Sequence, residues 1–219
     1  DYAEDAESEE DAIEDYPVTL FLSQHGYFKK ITPQSLRMSG EQKFKEDDAL
    51  SMSVESSNAA ELMFFTDKAQ VYKTRASDFA DGKASQLGDY LPAKLGMDEG
   101  ESVMGMVLPG DYSGYMIFFF ENGKAAKVEL SAYKTTSNRR RLTGAYSDKS
   151  PLKALLHLKE DREIAVYSTE PRVLIVNTAL LGEKTTRTTQ GVALLTLKKK
   201  YVLDTVRFPE ETGITDLAR

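Results

Sequence analysis

The sequence predicts an all-β repeat protein of the β-propeller kind, about four to five blades in all, with four recognisable and a fifth unfinished. Two features predict it. The first is a hairpin that recurs: "LFLSQHGYFKK" (20–30) is followed by "MFFTDKAQVYK" (63–73), "FFFENGKAAKV" (118–128) and "AVYSTEPRVLI" (165–175). Its turns fall at Gly26, Ala69, Gly123 and Pro171, spaced by 43, 54 and 48 residues. The second is a polar, basic, glycine-containing loop that leads from each hairpin back into an apolar strand. About four strands in roughly 50 residues is the length of a propeller blade.

Taken along the chain, residues 1–16 form an acidic arm, "DYAEDAESEEDAIEDY", with nine acids and no base. The body, 17–219, divides into repeats at approximately 17–60, 61–113, 114–161 and 162–208. Each hairpin pairs aromatic and β-branched residues, which suit a pleated half-buried strand, with the short polar loop that marks a reversal. The loops between hairpins are "SLRMSGEQKFKEDDALSMSV" (35–54), "ADGKASQLGDYLPAKL" (80–95), "NRRRLTGAYSDKSPLKALL" (138–156) and "EKTTRTTQGVALLTL" (183–197). Helical periodicity is weak, and "PLKALLHL" (151–158) is the one stretch open to either a strand or a helix. The last segment, "VLDTVRFPEETGITDLAR" (202–219), reads as a strand entering an unfinished repeat. Glycines 26, 88, 123, 144 and 191 are expected to serve tight turns or positive φ. WD and kelch propellers fit poorly because the chain has no tryptophan. An ordinary all-β sandwich is the competing architecture.

Composition narrows the function. The longest apolar stretch, "YMIFFF" (115–120), is too short to cross a bilayer, and the acidic start is no signal peptide. There are no cysteines, which fits a reducing cytoplasm and leaves no thiolate site. His25 and His157 lie far apart, without metal-ligand spacing. No phosphate-cradling glycine loop, Ser-His-Asp set or HExxH is present, so no catalytic residue, metal or cofactor is expected. The net charge of −7 conceals an asymmetry, since the residues after the arm carry a net +2. An acidic arm on a mildly basic body reads as an interaction tail, either a plain solvated linker or a competitor of an anionic ligand.

Cations recur in step with the repeats. Lys29 and Lys30 follow the first turn, Lys73 and Arg75 the second, Lys127 the third and Arg172 the fourth. The loops add Lys43, Lys45 and Lys83, then Arg139, Arg140 and Arg141, then Lys184 and Arg187, and Lys198, Lys199 and Lys200 follow the last. A repeat fold sets one such site per blade on a curved rim, where each cation that neutralises a phosphate releases counterions. Alternation along a strand sends Lys29 and Lys30 to opposite faces, so at most one of them reaches the rim. No base-reading helix or zinc module is visible. The expected ligand is therefore double-stranded DNA, bound by its backbone regardless of sequence and bent as a consequence. The acidic clusters "KEDDAL" (45–50) and "MDEGESV" (97–103) are expected on a face away from it.

Several strings resemble one family. "GYFKKITP" followed by "KEDDAL", "ELMFFTDKAQVYK", "QLGDYLPAKLGMDEGESV" and "EKTTRTTQGVALLTLKKK" are similar to the C-terminal domain of the A subunit of DNA gyrase and topoisomerase IV, over roughly residues 17–208. The resemblance implies a β-pinwheel, a propeller whose blades exchange strands. It also implies a non-catalytic domain that binds and bends duplex DNA for a bacterial ATP-dependent type IIA topoisomerase. Its partners would be the B subunit, together with the rest of the A subunit. One departure stands out. Where gyrase carries a Gln-Arg-Arg-Gly-Gly-Lys-Gly box, this chain has "RMSGEQKFKEDD" (37–48), with Arg37, Gly40 and Lys43 as remnants. That degeneracy points towards topoisomerase IV-like relaxation or decatenation rather than supercoiling. The domain alone is expected to be a cytoplasmic monomer. A protein-binding propeller is the alternative from another class, and a carbohydrate-active propeller a third.

Overall fold

The computed structural model describes residues 12–137 and 139–213, so most of the acidic arm predicted at 1–16 lies outside the described residues. Four strand groups follow one another along the chain. The first is β1 (Pro17–Ser23), β2 (Tyr27–Ile31), helix α1 (Pro33–Met38) and β3 (Leu50–Ser57). Next come β4 (Glu61–Thr66), β5 (Gln70–Arg75), β6 (Asp89–Tyr90), helix α2 (Leu91–Lys94) and β7 (Val103–Val107). The third group is β8 (Tyr115–Phe120), β9 (Lys124–Glu129), β10 (Arg141–Thr143) and β11 (Leu152–Leu158). The fourth is β12 (Glu163–Ser168), β13 (Val173–Asn177), β14 (Glu183–Lys184), β15 (Val192–Ala193) and β16 (Leu203–Arg207). The fold is all-β, four small sheets of the propeller or pinwheel type.

Strand order shows how the repeats interlock. The sheets read β3-β1-β2-β6, then β7-β4-β5-β10, then β11-β8-β9 with β14 and β15 both on β9, and finally β16-β12-β13. In each repeat the first, second and last strands share a sheet, and from the second repeat on the segment between the second and last strands crosses to the hairpin of the repeat before. That segment is called the exchanged segment below. A helical turn precedes it each time: α1, then Ala76–Asp78, Leu130–Tyr133 and Thr178–Leu180. The α1 turn opens on Thr32, whose hydroxyl accepts from the Ser35 N–H, with Pro33 at the first helical position.

The structure settles one open stretch and corrects one expectation. The stretch "PLKALLHL" contains strand β11, paired antiparallel with β8 from Leu152↔Phe120 to Leu158↔Tyr115, because a phenylalanine-rich neighbour rewards the extended form. The last segment begins no fifth repeat among the described residues. Instead β16 pairs with β12 as the outer strand of the fourth sheet.

The described residues cluster into two compact units, 12–66 with 72–110, and 67–71 with the described part of 111–213. The first has a core of Leu20, Leu22, Phe28, Leu62, Phe64 and Phe79, with Phe28 edge-on to Phe64. The second is built on Ile117, Phe119, Ile164, Val166 and Leu203. All five glycines singled out in the sequence have positive φ. Two of them matter for strand exchange. A Cβ on Gly88 would lie 2.4 Å from the Phe28 carbonyl oxygen, and one on Gly191 would lie 2.0 Å from that of Ala125. Both carbonyls occupy the same place in their hairpins, so glycine there lets the exchanged segment lie flat against the strand.

Candidate nucleic-acid interface

The lysines that follow the first three turns, Lys30, Lys73 and Lys127, are buried. Lys30 faces Leu20, and Lys127 faces Ile117, in the same register of their hairpins. Both are buried. The Lys30 ammonium donates to Asn58 Oδ1 at 2.6 Å and pairs with Asp81 at 3.3 Å. The Lys127 ammonium pairs with Asp161 at 2.8 Å, donates to the Thr178 carbonyl at 3.2 Å, and lies 4.1 Å from the Tyr115 ring centroid. Asn58 and Asp161 each sit just before the first strand of the following repeat. The lysine therefore fastens one repeat to the next. Lys73 holds the corresponding position in its hairpin and is also buried.

Asp161 collects further donors. Tyr115 Oη donates to it at 2.5 Å and Thr178 Oγ1 at 2.8 Å. The hydrogen bonds from Lys127, Tyr115 and Thr178 hold its carboxyl down at about 2. Burial, with the same contact to Asp161, pushes the Tyr115 hydroxyl up to about 12.

Lys29 is buried as well, so neither of the neighbouring pair reaches the surface, where at most one was expected to. Its ammonium donates to the carbonyls of Lys43, Ala84 and Gln86 at 3.2, 3.1 and 3.0 Å. Burial lowers its pKa. Four predicted rim cations, Lys29, Lys30, Lys73 and Lys127, are thus withdrawn from the surface. A short aliphatic-looking strand does not reveal that its lysine will find carbonyls and a carboxylate from the next repeat. The overlooked signal was the amide or acid in the turn before each following strand, at Asn58 and Asp161.

The remaining candidates reach solvent in varying degree. Arg37, Gly40, Lys43, Lys45 and Lys83 are exposed in the first unit. Arg75 is half-buried and donates to the Ala59 carbonyl at 3.3 Å. In the second unit Arg139, Arg140, Arg141, Arg172, Lys184 and Lys198 to Lys200 are exposed. Arg141 Nε donates to Gln70 Oε1 at 2.6 Å, which ties β10 to the start of β5. Arg187 is half-buried, and its guanidinium donates to the carbonyls of Ala132 and Gly144 at 2.9 and 3.4 Å. Arg172 and Lys198 share the Glu170 carboxylate at 3.5 and 4.0 Å.

Most of the exposed cations lie on exchanged segments, and within each unit neighbouring segments touch. The Lys43 N–H donates to the Ala84 carbonyl at 2.9 Å, which sets Lys43 beside Lys83. The Arg187 contact with Gly144 does the same for the segments carrying Arg139 to Arg141 and Lys184. Each unit therefore carries a basic surface built from two adjoining repeats. Acids interrupt the first: Glu46 and Asp47 are exposed directly after Lys45, so "KEDDAL" is not segregated from the cations. In "MDEGESV", Glu101 is buried and accepts from Thr66 Oγ1, from Tyr72 Oη at 2.7 Å and from the Asp98 N–H at 3.0 Å.

Among the described residues no cluster of three or more His, Asp or Glu is placed to hold a metal, and no helix is long and apolar enough to cross a membrane.

Known proteins share this architecture. The family model described as DNA gyrase C-terminal domain, beta-propeller, matches residues 60–86. The chain is 29% identical to the A subunit of DNA topoisomerase 4 from Staphylococcus epidermidis over 195 residues, covering 86% of this chain and 24% of that protein. It is 29% identical to the A subunit of DNA gyrase from Mycoplasma pneumoniae over 133 residues, covering 57% and 16%. It therefore spans about a quarter or less of these relatives. A crystal structure of the C-terminal domain of DNA topoisomerase IV superposes with a TM-score of 0.78 at 20% identity, covering 89% of this chain and 62% of that one. In sequence and in fold, this chain resembles the C-terminal β-propeller domain of the A subunits of DNA gyrase and topoisomerase IV.

Proposed function

We propose that this chain is a non-catalytic domain that binds and bends duplex DNA within the A subunit of a type IIA topoisomerase. One observation carries the reading: exposed cations recur on the exchanged segment of every repeat, Lys43 and Lys45, then Lys83, then Arg139 and Arg140, then Lys184. An extended polyanion matches such a series better than a single small anion does, and contact with phosphates needs no base recognition. Bending a short duplex through tens of degrees costs about 1–6 kcal/mol, which several spread contacts offset and one patch would not.

The rest of the reading follows from the relatives. The parent enzyme would change DNA topology at the expense of ATP in the cytoplasm, partnered by a B subunit. The body, residues 17–219, would comprise the repeats 17–60, 61–113, 114–161 and 162–208. The degenerate box at 37–48 favours activity of the topoisomerase IV type. Fluorescence anisotropy with a short and a long duplex over a salt series tests the binding and the bending. A steep loss of affinity with salt and a preference for the long duplex are expected. Absence of binding at low salt overturns the DNA reading and leaves a protein-docking propeller.

A further inference from the structure

The repeats carry exposed cations in matching places but not in matching balance. Between its second and last strands the first repeat (residues 32–49) holds three cations and four acids, and the second (76–102) holds two and six. The third (130–151) and the fourth (178–202) each hold five cations and one acid. The first two of these segments belong to the first unit and the last two to the second. The position of the cations repeats along the chain, whereas the sign of the surrounding charge differs between the units.

Burial does not reverse that difference. In the first unit Glu41, Glu46 and Asp47 are exposed beside Lys43 and Lys45. Consecutive Cα atoms lie about 3.8 Å apart, well inside the Debye length of about 8 Å at physiological salt. A phosphate that approaches either lysine therefore meets the acids as well. Asp81, two residues before Lys83, is also exposed and is offset only by buried Lys30, at 3.3 Å.

In the second unit the acids of the two segments are Asp148 and Glu183 alone, while Lys134, Arg139, Arg140, Lys149, Lys184 and Lys199 are exposed. Glu170, from outside the segments, takes up part of the charge of Lys198 at 4.0 Å. The Arg187 guanidinium donates to Ala132 and Gly144 and so draws the two segments together. Cations gathered with so few acids repel one another in the free protein, and a polyanion relieves that repulsion while it releases its own counterions.

We infer that the third and fourth repeats hold the duplex, on the one surface formed by segments 130–151 and 178–202, and that the box remnants Arg37, Gly40 and Lys43 lie outside it. Given the DNA reading on which this rests, affinity is concentrated in the second unit rather than shared evenly by all four repeats.

Two variants of the full chain that lose the same number of charges test this. One carries Arg139→Gln, Arg140→Gln, Lys184→Gln and Lys199→Gln, and the other Arg37→Gln, Lys43→Gln, Lys45→Gln and Lys83→Gln. Net charge falls equally in both, so overall charge alone predicts equal effects. Fluorescence anisotropy of a labelled duplex gives the slope of log affinity against log salt. Its magnitude is expected to fall by about 3 in the first variant and by less than about 1 in the second, with circular dichroism confirming that both are folded. Lysine acetylation read by mass spectrometry locates the contact: the duplex is expected to protect Lys184 and Lys199 more than Lys43, Lys45 and Lys83. Equal slopes in the two variants, a larger loss in the second, or equal protection of the two lysine sets overturns the proposal and leaves the DNA reading in place. Failure of the unmodified chain to bind the duplex at low salt overturns the DNA reading itself, and this proposal with it.

Discussion

Lys127 and Asp161 are joined by a 2.8 Å ion pair that fastens the third hairpin to the turn opening the fourth repeat. The ammonium is buried and the carboxylate half-exposed. The bond is asymmetric: Asp161 keeps its Tyr115 and Thr178 donors if the lysine goes, whereas the lysine keeps the Thr178 carbonyl and the Tyr115 ring but no anion if the aspartate goes.

That asymmetry orders two substitutions. Asp161→Ala strands a buried cation and is expected to destabilise more than Lys127→Met, which replaces the cation by an apolar chain of similar length. Urea unfolding of both variants checks the order, and the reverse order would mean that the carboxylate is the group stranded.

Asp161 also sets an acid limb. Its folded pKa of about 2 lies below the ordinary value of 3.8, so its contribution is present above about pH 4 and is lost as pH falls towards 2. Asp161→Asn is expected to flatten the dependence of stability on pH in that window. Urea midpoints between about pH 5 and pH 2 measure it, and unchanged slopes would remove Asp161 from the account.

Ala69 holds a turn with φ of +52°, where the first and third hairpins have Gly26 and Gly123. A side chain in that region costs about 1–2 kcal/mol. Ala69→Gly is expected to stabilise by about 1 kcal/mol, less the greater freedom of glycine in the unfolded chain. Thermal melts decide the sign.

Gly191 is expected to be intolerant of any side chain. A Cβ there would strike the backbone of Ala125, so Gly191→Ala should detach the segment carrying Lys184 and destabilise by about 2 kcal/mol or more. Amide exchange at Lys184 and Val192, compared with that in β8, would register the detachment before global unfolding does.

On the DNA reading, Arg139→Ala with Arg140→Ala is expected to weaken binding alike for all sequences and to lower the salt slope by about 0.9 for each phosphate no longer neutralised. Lys127→Met should leave that slope unchanged, because its charge never reaches solvent. Equal effects from the two variants would mean that the weakening follows unfolding rather than the removal of a surface charge.

The hairpins, their four-fold repetition and the all-β class were legible in the sequence, because each depends on local chemistry: apolar strands, polar turns and a regular interval. The exposed loop cations were legible for the same reason, since Lys43, Lys83, Arg139 and Lys184 sit in polar surroundings that keep charge in water. Three things were decided only by tertiary structure. Lys29, Lys30, Lys73 and Lys127 turn inwards because the strand exchange surrounds them with other segments, and for Lys29, Lys30 and Lys127 those segments supply carbonyls or carboxylates. The stretch "PLKALLHL" extends because β8 is there to receive it. Among the described residues the fourth sheet has three strands, β16-β12-β13, and that order too is set by pairing between distant segments. A sequence fixes what each segment prefers, but the charge state and direction of a side chain between segments depend on which neighbour arrives, and the backbone hydrogen bonds across sheets choose that neighbour.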